Sequence, residues 1–220
     1  FCFSISGEVG PPMPDTPMRD ASVPDASMPD DLQPVLDDLA SRFEEHRAAL
    51  AEFVAIPSVS TDPAHAGDVR RAADWVAGRL QGAGPMDVEV IETAGHPAVL
   101  ARWDGAEGAP TVLVYGHMDV QPPDPLDAWA SPPFELSERD GRWYARGISD
   151  DKASMLIPIL VTEAFFRHGA PPVNLRLLFE AEEEVGSPHL PDLVRERAEE
   201  LGCDVVLSAD GGMWRADLPS

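Results

Sequence analysis

The sequence predicts an α/β protein with a mixed, largely parallel sheet flanked by helices. Short, continuous apolar runs, which are typical of strands buried on both faces, alternate along the chain with segments that have the period of amphipathic helices. Alternation of this kind favours a sheet that is at least partly parallel. The 220 residues, of which 44% are hydrophobic and 25% charged, are enough to form a sizeable core.

The N-terminal part of the chain divides into a tail and two predicted helices. Residues 1–30 are rich in Pro, Asp and Ser and lack an apolar period, so we expect a disordered tail there. Between Leu32 and Phe53 apolar residues recur at spacings of mostly three and four, which predicts one amphipathic helix that ends before Pro57. A second helix is predicted over 68–81.

The rest of the chain alternates between strands and helices. Predicted strands cover 87–93, 98–104, 111–116, 173–181 and 203–209, and predicted helices cover 151–168 and 188–201. The run at 111–116, TVLVYG, is apolar throughout and therefore predicts a strand in the middle of the sheet.

Composition excludes several classes of partner. The chain has 16 basic and 39 acidic residues and a formal charge of −23, whereas nucleic-acid binding needs basic patches that neutralise phosphates. The same charge argues against an anionic membrane surface, and no stretch approaches the ~20 apolar residues of a membrane span. Two cysteines, Cys2 and Cys203, make no disulfide framework, which favours a reduced, cytoplasmic compartment. We expect Cys203, at the start of a predicted buried strand, to lie in the core.

Histidine and carboxylate side chains follow three of the predicted strands, and two more acids stand at the start of the predicted helix 151–168. The residues concerned are His117, Asp119, Asp150, Asp151, Glu182, Glu183, Glu184 and Asp210. Because sites in open α/β sheets form outside the carboxyl ends of the strands, we expect these side chains to meet at one edge of the sheet.

A cluster of carboxylates needs a compensating positive charge, since like charges raise one another's pKa. One divalent metal ion, or a pair, would supply it, and imidazole with carboxylates suits zinc, manganese or cobalt better than calcium. In an extended chain His117 and Asp119 face the same side, so Asp119 is placed to hold the second imidazole nitrogen and fix its tautomer.

Each of these motifs also has a purely structural interpretation. Asp150 or Asp151 would serve as a helix N-cap, and for Asp151 capping and support of a metal site are both open. The run Glu182–Glu184 would ordinarily be a solvated helix start, where the helix dipole favours acids. Asp210 lies in SADGG, where a turn is a natural explanation.

Three neighbouring residues are expected to have no part in the chemistry. Glu182 itself should be solvated, and His189 should lie on a helix surface rather than replace a metal ligand. Lys152, which is the single lysine of the sequence, should pair with nearby acids rather than act in catalysis.

These motifs resemble those of a known enzyme family. GHMDVQPPDPLDAWASPPFELSERDGRWYARGISDDKAS followed by FEAEEEVGSP is similar to the dinuclear zinc exopeptidases, which include carnosinases, bacterial dipeptidases, aminoacylases and succinyl-diaminopimelate desuccinylase. The likeness is greatest to the dipeptidase and carnosinase branch. It covers about residues 31–210 and implies that residues 31–220 are the N-terminal part of a zinc-exopeptidase-like catalytic domain.

The resemblance implies two divalent metal ions, zinc in the first place with manganese or cobalt as alternatives. His117 and Asp210 would hold one ion, Glu184 would hold the other, and Asp150 would bridge both. The family also has a cis peptide after the bridging aspartate, which here is the bond between Asp150 and Asp151.

The catalytic residues that the resemblance implies are Glu183 and Asp119. Glu183 would be the general base that takes a proton from a metal-activated water and passes it to the leaving amine, while Asp119 supports His117. The implied reaction is hydrolysis of the amide bond of a dipeptide or related small substrate. The alternative within the family is an N-acyl-amino-acid deacylase.

The chain departs from the family pattern in two places. Ala153 stands where the family usually has Gly after Asp-Asp-Lys, and the sequence ends at Ser220, before the lid or dimerisation domain and before a later histidine that ligates the second metal. We therefore expect a piece of a longer, homodimeric enzyme, inactive by itself, with an apolar face exposed where the rest would pack. A non-catalytic module that binds a cation is the alternative from another class.

Overall fold

The computed structural model of the protein describes residues 32–211, so the predicted tail at 1–30 lies outside the described part of the chain. The strands are β1 (Asp87–Ile91), β2 (Ala98–Trp103), β3 (Thr111–His117), β4 (Ser137–Arg139), β5 (Arg142–Tyr144), β6 (Asn174–Glu180) and β7 (Val205–Ser208). The helices are α1 (Gln33–Ser41), α2 (Phe43–Val54), α3 (Ala66–Ala83), α4 (Lys152–Arg167) and α5 (Leu190–Glu196). Within the described residues no helix is both long and apolar enough to cross a membrane.

The main sheet has five strands in the order β1-β2-β6-β3-β7, and its α/β class with mixed pairing confirms the prediction. The prediction of a largely parallel sheet needs correction. β3 pairs in parallel with β6 and β7, whereas β2 pairs antiparallel with β1 and β6. The short connection over 92–97 explains the antiparallel pairing of β1 with β2, because a parallel crossover needs a dozen or more residues and a hairpin does not.

The two faces of the sheet are covered by different helices. On β6, Leu177 and Phe179 belong to the larger core cluster with residues of α2, α3 and α4. The intervening Leu178 belongs to a smaller cluster with Leu193 of α5. Successive side chains of a strand point to opposite faces, so an apolar run is what a strand covered by helices on both sides requires.

Two predicted helices differ from the structure. The single helix predicted up to Pro57 is divided at Arg42, where the backbone has φ −99° and ψ 19°. There the hydroxyl of Ser41 donates to the carbonyl oxygen of Asp38 at 2.9 Å, a bond that competes with the helical pattern. The helix predicted over 188–201 is shorter, because α5 ends where Arg197 leaves the helical region at φ −108°.

The β4–β5 hairpin was not predicted. Its turn is formed by Asp140 and Gly141, which have φ 52° and φ 70°. An Asp-Gly pair favours such a turn because both central residues need a positive φ. The signal is present in the sequence, but the flanking strands are too short to show an alternating pattern.

Strand β7 is exposed, although a buried strand was predicted. Val205, Val206 and Leu207 have exposed fractions of 53%, 62% and 52%, and Cys203, which was expected in the core, is also exposed. β7 lies at the edge of the sheet, and among residues 32–211 it pairs with β3 alone. The apolar sequence of β7 therefore leaves an exposed apolar surface at this edge of the described residues.

Asp38 ties α1 to the end of α4. Its carboxylate accepts hydrogen bonds from Arg167 Nε at 2.9 Å and from Arg42 Nε at 3.1 Å. The hydrogen bonds from Arg167, against some opposing burial and with help from Arg42, lower the pKa of Asp38 from 3.8 to about 2. Because the pKa is lower in the folded protein, the ionised carboxylate contributes stability above about pH 4 that is lost as the pH falls towards 2.

Asp38→Asn is therefore expected to lower Tm at pH 7 by roughly 3 °C, which is the effect of losing about 1 kcal/mol from a chain of this size. The difference from the wild type should disappear near pH 2. Thermal unfolding followed by circular dichroism between pH 2 and 7 measures both. A difference in Tm that stays constant over this range would contradict the assignment.

Candidate metal centre

Parallel pairing brings the carboxyl ends of β3, β6 and β7 to one edge of the sheet. His117 is the last residue of β3, and Glu183 begins a 3-10 turn that follows β6. Asp210 follows β7, and Asp150 lies two residues before α4. The predicted meeting of these side chains at one edge is therefore observed.

Three of the predicted metal ligands lie close together. His117, Asp150 and Asp210 each offer a ligand atom, and these atoms are within 4.8 Å of one another. His117 Nε2 is 3.0 Å from Asp150 Oδ1, 3.7 Å from Asp210 Oδ2 and 3.9 Å from Glu183 Oε2. The imidazole is fully buried, whereas the Asp150 side chain is 63% exposed, so the cluster opens to solvent on the Asp150 side.

The second nitrogen of His117 faces Asp119, as the spacing predicts. Nδ1 is 3.1 Å from the backbone oxygen of Asp119 and 3.4 Å from its Oδ1. Burial disfavours the charged imidazole, but the hydrogen bond to Asp119 and the charges of Asp119, Asp151 and Glu183 outweigh it and raise the pKa of His117 to about 10. The surrounding acids thus favour a positive charge at this position.

Asp119 also connects His117 to the turn that carries the glutamates. Its Oδ1 accepts a hydrogen bond from Glu183 N at 3.3 Å, and its Oδ2 accepts one from Glu184 N at 3.1 Å. Oδ2 accepts a further bond from the Ser60 hydroxyl at 2.6 Å. A single fully buried carboxylate therefore fixes the predicted base relative to the predicted metal ligand.

Glu183 and Glu184 have different surroundings. Burial, with the charges of Asp210, Asp119 and Asp150 and against that of His117, raises the pKa of Glu183, whose carboxylate faces the cluster. The Glu184 carboxylate is held instead by Gln121, which donates from its backbone N at 3.1 Å and from Nε2 at 2.7 Å. Glu184 is not in the group of three whose ligand atoms lie within 4.8 Å of one another.

Asp151 supports the site rather than capping α4. It occupies the N-cap position without a side-chain capping bond, and its Oδ2 accepts a hydrogen bond from His117 N at 3.2 Å. Burial, opposed by that bond, raises the pKa of Asp151 to about 6. A Cβ on Gly116 would lie 2.7 Å from Asp151 Oδ2, so the contact requires glycine at that position.

One further expectation around Asp150 is met. The bond between Asp150 and Asp151 is cis, as the family resemblance implies. Ala153, which stands where glycine is usual, lies within α4, so the substitution is compatible with the local backbone.

Two neighbouring residues differ from what was predicted. Glu182, which was expected to be solvated, is buried, and its carboxylate is hydrogen-bonded to His189 Nδ1 at 2.8 Å. Lys152, expected to pair with acids, is buried and donates to the carbonyl oxygens of Phe53 at 2.9 Å and Ile56 at 2.6 Å. Burial lowers the pKa of Lys152 to about 7.

Ser60 and Gln121 contact site residues but were not predicted. Ser60 precedes Asp119 by 59 residues and lies in a loop without an apolar period, so the fold alone brings them together. Gln121 stands within four residues of His117, and its position directly after the motif is the signal that could have identified it.

Comparison with known proteins identifies relatives over most of the chain. Residues 113–218 match Peptidase family M20/M25/M40. The cysteinylglycine-S-conjugate dipeptidase of Corynebacterium striatum is 30% identical over 178 residues, which are 78% of this chain and 38% of that protein. The Beta-Ala-His dipeptidase of Homo sapiens is 36% identical over 121 residues, which are 54% of this chain and 24% of that protein.

Solved structures show the same relationship. Human carnosine dipeptidase 1 matches with a TM-score of 0.78 at 31% identity, covering 83% of this chain and 42% of that chain. The di-peptidase Dug1p of Saccharomyces cerevisiae matches with a TM-score of 0.75 at 31% identity, covering 82% of this chain and 41% of that chain. The chain thus spans less than half the length of these relatives. The resemblance stated from the motifs is confirmed, and residues 113–218 carry the match to peptidase family M20/M25/M40.

Proposed function

We propose that this chain provides part of the active site of a metal-dependent hydrolase that cleaves the amide bond of dipeptides or related small substrates. The observation that carries the proposal is the convergence of His117, Asp150 and Asp210, with Glu183 Oε2 3.9 Å from the imidazole. Relatives named as dipeptidases support the substrate class. The activity of the whole protein is part of the proposal, because the chain spans 38% of the first of these relatives.

The donor set fits a divalent metal ion. One imidazole nitrogen and several carboxylate oxygens suit zinc, with manganese or cobalt as alternatives. Among residues 32–211, no lysine or arginine forms an ion pair with Asp150, Glu183 or Asp210; His117 is their partner. We propose that two ions would be held here, one by His117 and Asp210 and the other by Glu184, with Asp150 as a ligand of both. A histidine beyond residue 220 would complete the second site.

When bound, the ions would lower the pKa of a water molecule and polarise the scissile carbonyl group. In the proposed reaction Glu183 takes the proton of that water and returns it to the leaving amine. Burial raises the pKa of Glu183 against the opposing charge of His117, which makes its carboxylate a better proton acceptor. Asp119 fixes the positions of Glu183 and His117 relative to each other, because its Oδ1 accepts a hydrogen bond from Glu183 N and lies 3.4 Å from His117 Nδ1.

One apolar surface supports the alternative that residues 1–220 are an inactive piece of a longer enzyme. A groove of about 390 Å³ between α4 and the β3–β7 edge is lined by apolar side chains, among them Val114, Ile157 and Leu207. We propose that residues 1–220 alone lack activity and that further chain of the full-length protein covers this groove. The alternative of an N-acyl-amino-acid deacylase uses the same water-activating groups and differs only in the substrate.

The experiment that tests the proposal compares the full-length protein with residues 1–220. We expect the full-length protein to hydrolyse dipeptides faster than N-acetyl amino acids, to lose activity on removal of metal by a chelator, and to regain it with Zn²⁺. We expect no turnover by residues 1–220. Full activity of the metal-free protein would contradict a metal-dependent hydrolase, and faster turnover of N-acetyl amino acids would favour the deacylase.

A cytoplasmic location and a homodimer of the full-length protein are further proposals. The first rests on the two cysteines of the sequence, and the second on the family resemblance. Light scattering of the full-length protein at several concentrations measures the second directly, and a monomer at all concentrations would contradict it.

A further inference from the structure

The loop that follows α2 contacts the strand end that carries His117. The Ser58 hydroxyl donates to the backbone oxygen of Met118 at 2.6 Å, and Ser58 O accepts a hydrogen bond from Val120 N at 2.9 Å. Two residues further on, the Ser60 hydroxyl donates to Asp119 Oδ2 at 2.6 Å. Both serines are buried, and both bonds span about the same length of chain.

The two serines differ in what their hydroxyl groups meet. Ser58 donates to a neutral carbonyl oxygen, whereas Ser60 donates to a carboxylate that is fully buried. Hydrogen bonds to ionised acceptors are shorter and stronger than those between neutral groups. Among the described residues no lysine or arginine forms an ion pair with Asp119, so the hydroxyl is one of the few groups that stabilise its charge.

The position of the Asp119 carboxylate depends on donors from two sides. The backbone N of Glu184 lies 3.1 Å from Oδ2, and the hydroxyl of Ser60 lies 2.6 Å from the same oxygen. Without the hydroxyl, the carboxylate would keep the bonds from Glu183 N and Glu184 N but lose the shortest of its three, so its position 3.4 Å from His117 Nδ1 would be less tightly fixed. The imidazole of His117 and the turn that begins at Glu183 would then both be held less firmly by Asp119.

We propose that Ser60 is a positioning residue that holds the Asp119 carboxylate, and through it His117, in the geometry that binds the metal. The inference rests on the proposed function, since it assumes that His117 is a metal ligand. Partners that orient metal-ligating histidines from outside the coordination sphere typically change metal affinity by 10- to 100-fold when they are removed.

The test measures Zn²⁺ affinity of the full-length protein by competition with a chromogenic chelator. Ser60→Ala is expected to weaken Zn²⁺ binding by roughly tenfold, and Ser60→Thr, which keeps the hydroxyl, is expected to restore it. Ser58→Ala is the matched control, because it removes another buried hydroxyl of the same loop; it should lower Tm and leave Zn²⁺ affinity unchanged. The visible absorption spectrum of the Co²⁺-loaded protein should change in Ser60→Ala and not in Ser58→Ala.

The outcomes separate this inference from the proposed function. Folded Ser60→Ala with wild-type Zn²⁺ affinity and Co²⁺ spectrum would overturn the positioning role alone, as would equal losses of affinity in both alanine variants. A wild-type protein that binds no Zn²⁺ would overturn the proposed function and this inference with it. If Ser60→Ala does not fold, Ser60→Cys, which keeps a weak donor, decides in its place: an intermediate loss of affinity supports the role, and no loss overturns it.

Discussion

Glu183→Gln in the full-length protein is expected to lower dipeptide turnover by roughly 10³-fold while the metal content stays at the wild-type level. The amide cannot accept the proton of the attacking water, yet it has nearly the shape of the carboxylate that lies 3.9 Å from His117 Nε2. Steady-state kinetics together with metal analysis of the same sample measures both quantities.

Glu182→Gln is the matched control for this variant. Glu182 is the preceding residue and is buried, but its carboxylate is bonded to His189 rather than to a residue of the ligand cluster. We expect its turnover to remain close to that of the wild type. Undiminished turnover in Glu183→Gln with metal retained would remove Glu183 from the role of base.

Asp119→Ala is expected to destabilise the protein by about 3 kcal/mol and to abolish tight Zn²⁺ binding. The change leaves the Ser60 hydroxyl and the backbone N–H groups of Glu183 and Glu184 without their acceptor, and buried donors without a partner cost about 1–3 kcal/mol each. Urea unfolding gives the free energy of unfolding, and chelator competition gives the affinity.

Asp192→Ala provides the comparison for a surface aspartate. Asp192 is 73% exposed and pairs with Arg195 within α5, so its removal should change the free energy of unfolding by less than about 0.5 kcal/mol. Zn²⁺ affinity that survives in Asp119→Ala would show that the metal centre does not depend on the support of His117 by Asp119.

The features that could be predicted from the sequence are those that a local pattern determines. Apolar runs located the strands of the main sheet, and the acids after those strands located the edge at which the site forms. The approach of His117 to Asp119 was predictable because two residues of extended chain fix it. The sheet is less parallel than predicted, and the short connection over 92–97 is the signal that favours antiparallel pairing of β1 with β2.

The features that could not be predicted depend on contacts between distant parts of the chain. The bond between Ser60 and Asp119 joins a loop without any periodic pattern to a strand end. The buried ammonium group of Lys152 satisfies carbonyl groups near the end of α2, a partner that sequence spacing does not reveal. The exposure of β7 could not be predicted either, because its apolar sequence is typical of a buried strand whereas the described residues leave it at the edge of the sheet.

The most direct measurement is anomalous diffraction from crystals of the full-length protein soaked in Zn²⁺. The account predicts a zinc peak about 2.0–2.2 Å from His117 Nε2 and from a carboxylate oxygen of both Asp150 and Asp210. Zinc bound at other side chains, with no peak within reach of His117, would contradict it.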